Sequence, residues 1–351
     1  MAREGFRVGI SADLMSDPSS SEWPGLPLAR LAAVPGLSWE YFAVPSGAVD
    51  AEQADSYDAI ILNGPRIGAE AVESATRLGL IARFGVGVDG VDVASAARRG
   101  ILVTNTPDAV RAPVASAVLC LILALAHRLH DREDLVRSGN WAGRSAILGR
   151  SVSNSVIGII GFGGIARELV RLLEPFGTRI VVSHPRLSAA DLAAFGAELV
   201  DLPTLLSLAD FVVPLCPLTP ETFHLLGAPE LELMRPSAYL VNTSRGAIVD
   251  EGALVNALRS GSIAGAGLDV FDPEPPDSSD GLFAVDNVIL TAHSLAWTEQ
   301  MMADMGAAAV DAVVDVALGR VPAHVVDGSA LRHPEHSTRR AHFAQRAKEL
   351  L

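Results

Sequence analysis

With 351 residues, 49% hydrophobic and 19% charged, the chain has the make-up of a folded protein with room for two domains, not of a disordered one. Its formal net charge of −14 opposes nucleic acid and anionic membrane surfaces as partners, since binding either needs a basic face. The only lysine is Lys348, which excludes a core Schiff-base lysine and a phosphate loop of the lysine-bearing kind. In chain order, residues 7–11, 39–44, 57–63, 79–84 and 101–105 read as strands, separated by segments long enough for helices. Pro107 and Pro113 are expected to bracket a break before a long apolar helix over 114–130. The apolar run 114–126 is shorter than the ~20 residues of a bilayer span, so it reads as a buried helix. Cys120 and Cys216 lie in apolar runs and read as small buried hydrophobes, with no metal or disulfide spacing. Together with a start that lacks the apolar core of a signal peptide, this gives a cytoplasmic expectation.

A second alternating series begins after the loop carrying Trp141. Residues 156–160, 179–183, 211–215, 238–242, 264–269 and 287–291 read as strands, most of them followed by helical stretches. The expected fold class is therefore α/β, with two doubly wound parallel sheets of the Rossmann type. A final helix over 298–318 is expected to return to the first unit, and residues beyond about 331 read as a charged tail. The expected division is 1–108 with 295–331, an inserted dinucleotide-binding domain over 109–294, and the tail 332–351.

The sharpest motif is Gly161-Phe162-Gly163-Gly164-Ile165-Ala166, directly after an apolar strand and at the opening of a helix. There the first glycine permits a tight turn, the second lets backbone approach a pyrophosphate, and Ala166 lets helix and strand pack closely. An NAD-preferring site usually ends the next strand on a carboxylate that takes the ribose hydroxyls. Here the segment is Ser183-His184-Pro185-Arg186. Its hydroxyl, imidazole and guanidinium suit a 2′-phosphate, so NADP(H) is favoured while NAD(H) stays open.

Arg245, Glu274 and His293 each follow a strand of the second series, at the edge where open α/β sheets bind ligands. Reducing a keto acid needs a cation for the carboxylate and carbonyl, and a proton donor as hydride arrives. A carboxylate-backed histidine supplies that proton. Singly, each of the three is an ordinary surface residue; their joint placement makes them a candidate centre. Nothing in the sequence suggests a metal.

Four runs carry a family resemblance: 83–89 (Arg-Phe-Gly-Val-Gly-Val-Asp), 158–163, 216–222 (Cys-Pro-Leu-Thr-Pro-Glu-Thr) and 242–275. Over about Ile60 to Val326 the chain resembles the D-isomer-specific 2-hydroxyacid dehydrogenases, which include glyoxylate/hydroxypyruvate reductases and phosphoglycerate dehydrogenases. The resemblance implies that Arg245 binds the substrate carboxylate and carbonyl oxygen, that His293 is the acid/base and that Glu274 is its partner. It implies Asp269 on the nicotinamide carboxamide, Gly164 and Ile165 at the pyrophosphate, and Cys216, Thr243 and Ser244 along the cofactor cleft. Asn63, Gly64, Val86 and Gly87 would form a substrate wall whose backbone amides meet the carboxylate. The long helix after Pro113 would build a homodimer. The implied reaction is reversible reduction of a small 2-keto acid to the D-2-hydroxy acid. Two other readings are a catalytically silent dinucleotide sensor, and a reductase of a non-carboxylate substrate. Trp297 and Arg66 stay open between pocket and surface roles.

Overall fold

The computed structural model describes residues 5–15, 26–277, 279 and 281–350, and the chain divides into two units. One comprises Met1–Val110 with Trp297–Leu351, the other Arg111–Ala296.

The first unit is built on β1 (Phe6–Ser11), β2 (Leu37–Phe42), β4 (Ala59–Leu62), β6 (Leu80–Arg83) and β7 (Leu102–Thr104), all parallel, in the order β2-β1-β4-β6-β7. A two-residue ladder of β3 (Ala48–Val49) and β5 (Arg66–Ile67) lies apart from it. Every side chain of β4 is buried, as expected for a strand covered on both faces. One face carries Ile60, Leu62, Ile81 and Val103 with Ala54, Val72 and Ala96 from flanking helices. On the sheet lies the Glu299–Ala317 helix, opened by Thr298, whose hydroxyl accepts the Met301 N–H at 3.1 Å. The order reverses between β1 and β4, so ligands are expected where those strands end.

The tail is not an appendage: Pro334–Leu350 is a helix of the first unit, packed at the amino-terminal edge of its sheet. Phe343 is buried and meets Phe6 edge-on, with ring centroids 5.0 Å apart, and Arg346 lies 5.3 Å over the same ring. Arg339 donates to the carbonyls of Arg99 at 2.7 Å and Gly100 at 3.2 Å. Burying one such phenylalanine contributes about 1.5–3 kcal/mol, enough to fasten one helix. The charged composition hid this face because its anchors are arginine stems and one aromatic ring rather than an aliphatic stripe.

The second unit has a seven-stranded parallel sheet, β10-β9-β8-β11-β12-β13-β14. In chain order these are β8 (Val156–Ile160), β9 (Arg179–Ser183), β10 (Ala197–Leu199), β11 (Phe211–Pro214), β12 (Tyr239–Asn242), β13 (Gly265–Leu268) and β14 (Val288–Leu290). Alternation along β11 sends Phe211 and Val213 into one core and Val212 into the other, so helices cover both faces. Here the order reverses between β8 and β11.

The long helix runs Pro107–Ala126, so Pro107 opens it and Pro113 lies within it, where a break was expected. At 20 residues, with a stretch of mean hydropathy 2.2, it is long and apolar enough to cross a bilayer, which the run 114–126 is not. Ala115, Val118, Leu121, Ile122 and Leu125 are nevertheless buried with Ile157, Ile159 and Val241, which makes it a core helix of this unit. Cys120, expected inside, is exposed on its other side.

Candidate active site

β8 ends at Ile160, and Gly161 turns the chain with φ +93°, a conformation open chiefly to glycine. A Cβ at Gly161 would lie 2.7 Å from the Leu215 carbonyl oxygen, so the turn presses against the segment after β11. Gly163 caps the Gly164–Leu173 helix with no side-chain bond, and a Cβ on it would meet nothing within 4 Å. The first N–H groups of that helix therefore have no side-chain cap, and its dipole adds partial positive charge there. Thr243, on the loop after β12, has a buried hydroxyl with no partner. An uncapped helix start and an orphaned hydroxyl fit a dinucleotide and its pyrophosphate.

At the end of β9, the Ser183 carbonyl receives the Gly161 N–H at 3.0 Å. His184 Nδ1 accepts the N–H groups of Arg186 at 3.1 Å and Leu187 at 3.2 Å, which leaves the ring proton on Nε2. Arg186 is exposed, and no carboxylate ends the strand. Cys216 is half-buried, and burial pushes its thiol up to about 11, so it lines its surroundings as a neutral small group.

Three loops at the carboxyl ends of β12, β13 and β14 carry the candidate trio, and backbone bonds fasten each. Asn242 is buried; its Oδ1 accepts the Ser244 N–H at 3.0 Å and its Nδ2 donates to the Arg245 carbonyl at 2.8 Å, folding the 243–245 turn. The Ser244 hydroxyl donates to the Pro214 carbonyl at 2.7 Å, so it ties this turn to β11. A Cβ at Gly246 would lie 2.0 Å from the Phe271 carbonyl carbon. Only glycine lets the Arg245 turn approach the Glu274 loop so closely.

On that loop Glu274 Oε1 accepts the Phe271 N–H at 3.0 Å, and the Glu251 carboxylate accepts the Asp272 N–H at 2.6 Å. Glu274 Oε2 meets His293 Nδ1 at 2.8 Å. Burial opposes the Glu274 charge, yet the hydrogen bond and charge of His293, the Phe271 N–H and the Arg245 charge together hold its carboxyl below the usual 4.5. His293 and Glu274 side chains are 46% and 36% exposed, open enough to meet a ligand.

His293 has φ +49°, a left-handed backbone that strains a non-glycine residue. Asp269 holds it there. This buried carboxylate takes the Thr291 hydroxyl at 2.6 Å and the N–H groups of Ser294 at 3.1 Å and Leu295 at 3.2 Å, all on Oδ1. Its Oδ2 has no partner among the described residues. Sequence reasoning missed this strut, because its partners lie more than twenty residues further on.

In the first unit the expected substrate wall splits in two. The Asn63 N–H donates to the Ser11 hydroxyl at 3.2 Å. The Gly64 N–H and the Asn63 Nδ2 both donate to Asp13 Oδ2, at 2.7 and 3.0 Å. The backbone amides of Asn63 and Gly64 thus already have acceptors within the unit, a hydroxyl and a carboxylate, against the expectation that they are offered to a ligand. Val86 and Gly87 differ: their N–H groups meet no acceptor among the described residues, while Asn105 Nδ2 holds the Val86 carbonyl at 2.9 Å. No cluster that could hold a metal occurs among the described residues.

A family model described as D-isomer specific 2-hydroxyacid dehydrogenase, NAD binding domain, matches residues 119–294. The glyoxylate reductase of Thermococcus litoralis is 38% identical over 301 residues, covering 84% of this chain and 90% of the relative. A D-3-phosphoglycerate dehydrogenase of Methanocaldococcus jannaschii is 35% identical over 76% of this chain, which spans 51% of that longer protein. A solved structure from Thermus thermophilus aligns with TM-score 0.80 and 33% identity, over 92% of this chain and all of its own. The NADPH-dependent glyoxylate/hydroxypyruvate reductase of Sinorhizobium meliloti, solved with NADP and malonate, aligns with TM-score 0.77 and 28% identity, over 93% and 97%. With that extent of match, the chain belongs to the D-isomer specific 2-hydroxyacid dehydrogenase family.

Proposed function

We propose that the chain reduces a small 2-keto acid to its D-2-hydroxy acid with NADPH, through Arg245, His293 and Glu274. The reaction class follows from the family: a reversible, NAD(P)-dependent conversion of a 2-keto acid to a 2-hydroxy acid. The bound nicotinamide supplies the hydride. The protein must then neutralise the substrate carboxylate and protonate the carbonyl oxygen. Arg245 does the first, its guanidinium also drawing charge towards the carbonyl oxygen. His293 does the second: with Nδ1 held by Glu274, Nε2 carries the proton that is given in reduction and taken back in oxidation. Gly161, Gly163, Gly164 and Ile165 hold the pyrophosphate, Thr243 and Cys216 line the cofactor, and Asp269 Oδ2 receives the carboxamide. In the first unit, the N–H groups of Val86 and Gly87, which meet no acceptor among the described residues, are a place where a carboxylate can be held. The observation that carries this reading is the 2.8 Å His293–Glu274 pair, with the Arg245 charge acting on the same carboxylate.

The preference for NADPH rests on Ser183, His184 and Arg186, where a carboxylate would repel a 2′-phosphate, and the S. meliloti reductase is NADPH-dependent by name. A second copy of the chain is the proposed partner: Leu129, Val136, Trp141 and Leu148, just beyond the long helix, are all exposed. A cytoplasmic location belongs to the same reading. The test is a panel of keto acids, glyoxylate and hydroxypyruvate first, with NADPH and NADH followed at the nicotinamide absorbance. Turnover with NADPH preferred is expected, from a particle of two chains by sedimentation. Dinucleotide binding without turnover of any keto acid would overturn the catalytic reading in favour of a sensor. Equal use of NADH would overturn the cofactor preference, and a one-chain mass the dimer.

A further inference from the structure

Arg111 lies in the first turns of the Pro107–Ala126 helix, ahead of the segment matched by the family model. Its side chain runs across the start of the Gly164–Leu173 helix. A Cβ built on Gly164 would lie 2.6 Å from Arg111 Nε, 3.0 Å from its Cδ and 3.3 Å from its Cγ. The stem and guanidinium of Arg111 therefore fill the space that any side chain at 164 would need. Gly164, the first residue of that helix, thus admits a cation from another helix.

Electrostatics gives this contact a direction. The amino end of a helix carries about half a positive charge, so an anion bound there would be drawn both by the helix end and by the guanidinium beside it. The N–H groups at Gly164 and Ile165, at a helix start without a side-chain cap, would face the same anion. Arg167, on the same helix, is turned over the rings of Phe162 and Phe195, at 5.9 and 5.7 Å. We propose that Arg111 binds the diphosphate of the dinucleotide, pairing its planar N–H groups with phosphate oxygens above the Gly163–Ile165 amides. It supplies the cation that the lysine-free glycine loop lacks. The inference rests on that loop holding a dinucleotide.

The test uses the full-length protein and direct binding of NADPH, NADH and ADP, which share the diphosphate. Arg111→Ala is expected to weaken all three by about tenfold or more, since a charge-assisted bond to phosphate is at stake. Arg111→Lys, which keeps a charge without the fork, should retain part of that affinity, and serves as the readout if the alanine variant melts early. Gly164→Ala should weaken the same three ligands by displacing Arg111, and add little in an Arg111→Ala background. Unchanged binding in Arg111→Ala, or a loss confined to NADPH, would overturn the assignment while the dinucleotide reading stood. If the wild-type protein bound none of the three, the dinucleotide reading would fall and this inference with it.

Discussion

Both sheets are parallel, both reverse their strand order beside the first strand, and each ends its first strand at a turn that decides what the edge can hold. After β8 the turn is Gly161, and the following helix starts without a side-chain cap. After β1 the turn is Ser11-Ala12-Asp13, and the Ser11 hydroxyl and Asp13 carboxylate take the amides at 63–64. One edge is left open for an anion; the other brings its own. Topology sets where ligands can lie, and two or three loop residues set which charge is admitted.

The largest effect should come from the pair that completes the open edge. His293→Ala is expected to lower kcat by ~10²–10⁴-fold, the range of a positioned acid/base group, with little change in dinucleotide affinity. Near-normal turnover would remove His293 from the chemistry. Glu274→Gln should cost less, because the imidazole stays and loses only its charged partner. The Glu274 carboxyl is held below 4.5, so what its charge contributes is complete above that value and lost as pH falls through the lower folded one. In the reducing direction, the loss of rate that follows protonation of Glu274 should therefore have its midpoint below 4.5, and Glu274→Gln should lack that acid limb. An identical limb in both proteins would assign it to another group.

The open edge was also the more legible. β8 and β9 stand where their apolar runs put them, and Arg245, Glu274 and His293 all follow short apolar strands of the strand-and-helix series. β10 was not legible: Glu198 in its middle is exposed and paired with Arg179, so this edge strand shows no apolar run. Other features depend on contacts across the sequence. Gly246 reads as an ordinary small residue until Phe271 is seen against it, and Gly164 hides its dependence on Arg111. Asp13 and Gly64 are fifty-one positions apart, and no local pattern marks a carboxylate that will cap a loop on another strand. Periodicity reports which face is buried; it does not report which distant polar group closes a turn.

The smallest expected effect falls on the closed edge. If Val86 and Gly87 receive the substrate carboxylate, Asp13 is a second, fixed negative charge on the same sheet edge, and it should disfavour keto acids with another acidic group. Asp13→Asn keeps an oxygen to accept the Gly64 N–H but removes the charge. Its ratio of kcat/KM for a dicarboxylic over a monocarboxylic keto acid should rise by about fivefold at most, because an exposed charge is well screened and such couplings reach only ~1 kcal/mol. Added salt should shrink the difference. An unchanged ratio at low salt would mean that Asp13 only ties the 63–64 turn to β1, and that selection against acidic substrates lies elsewhere.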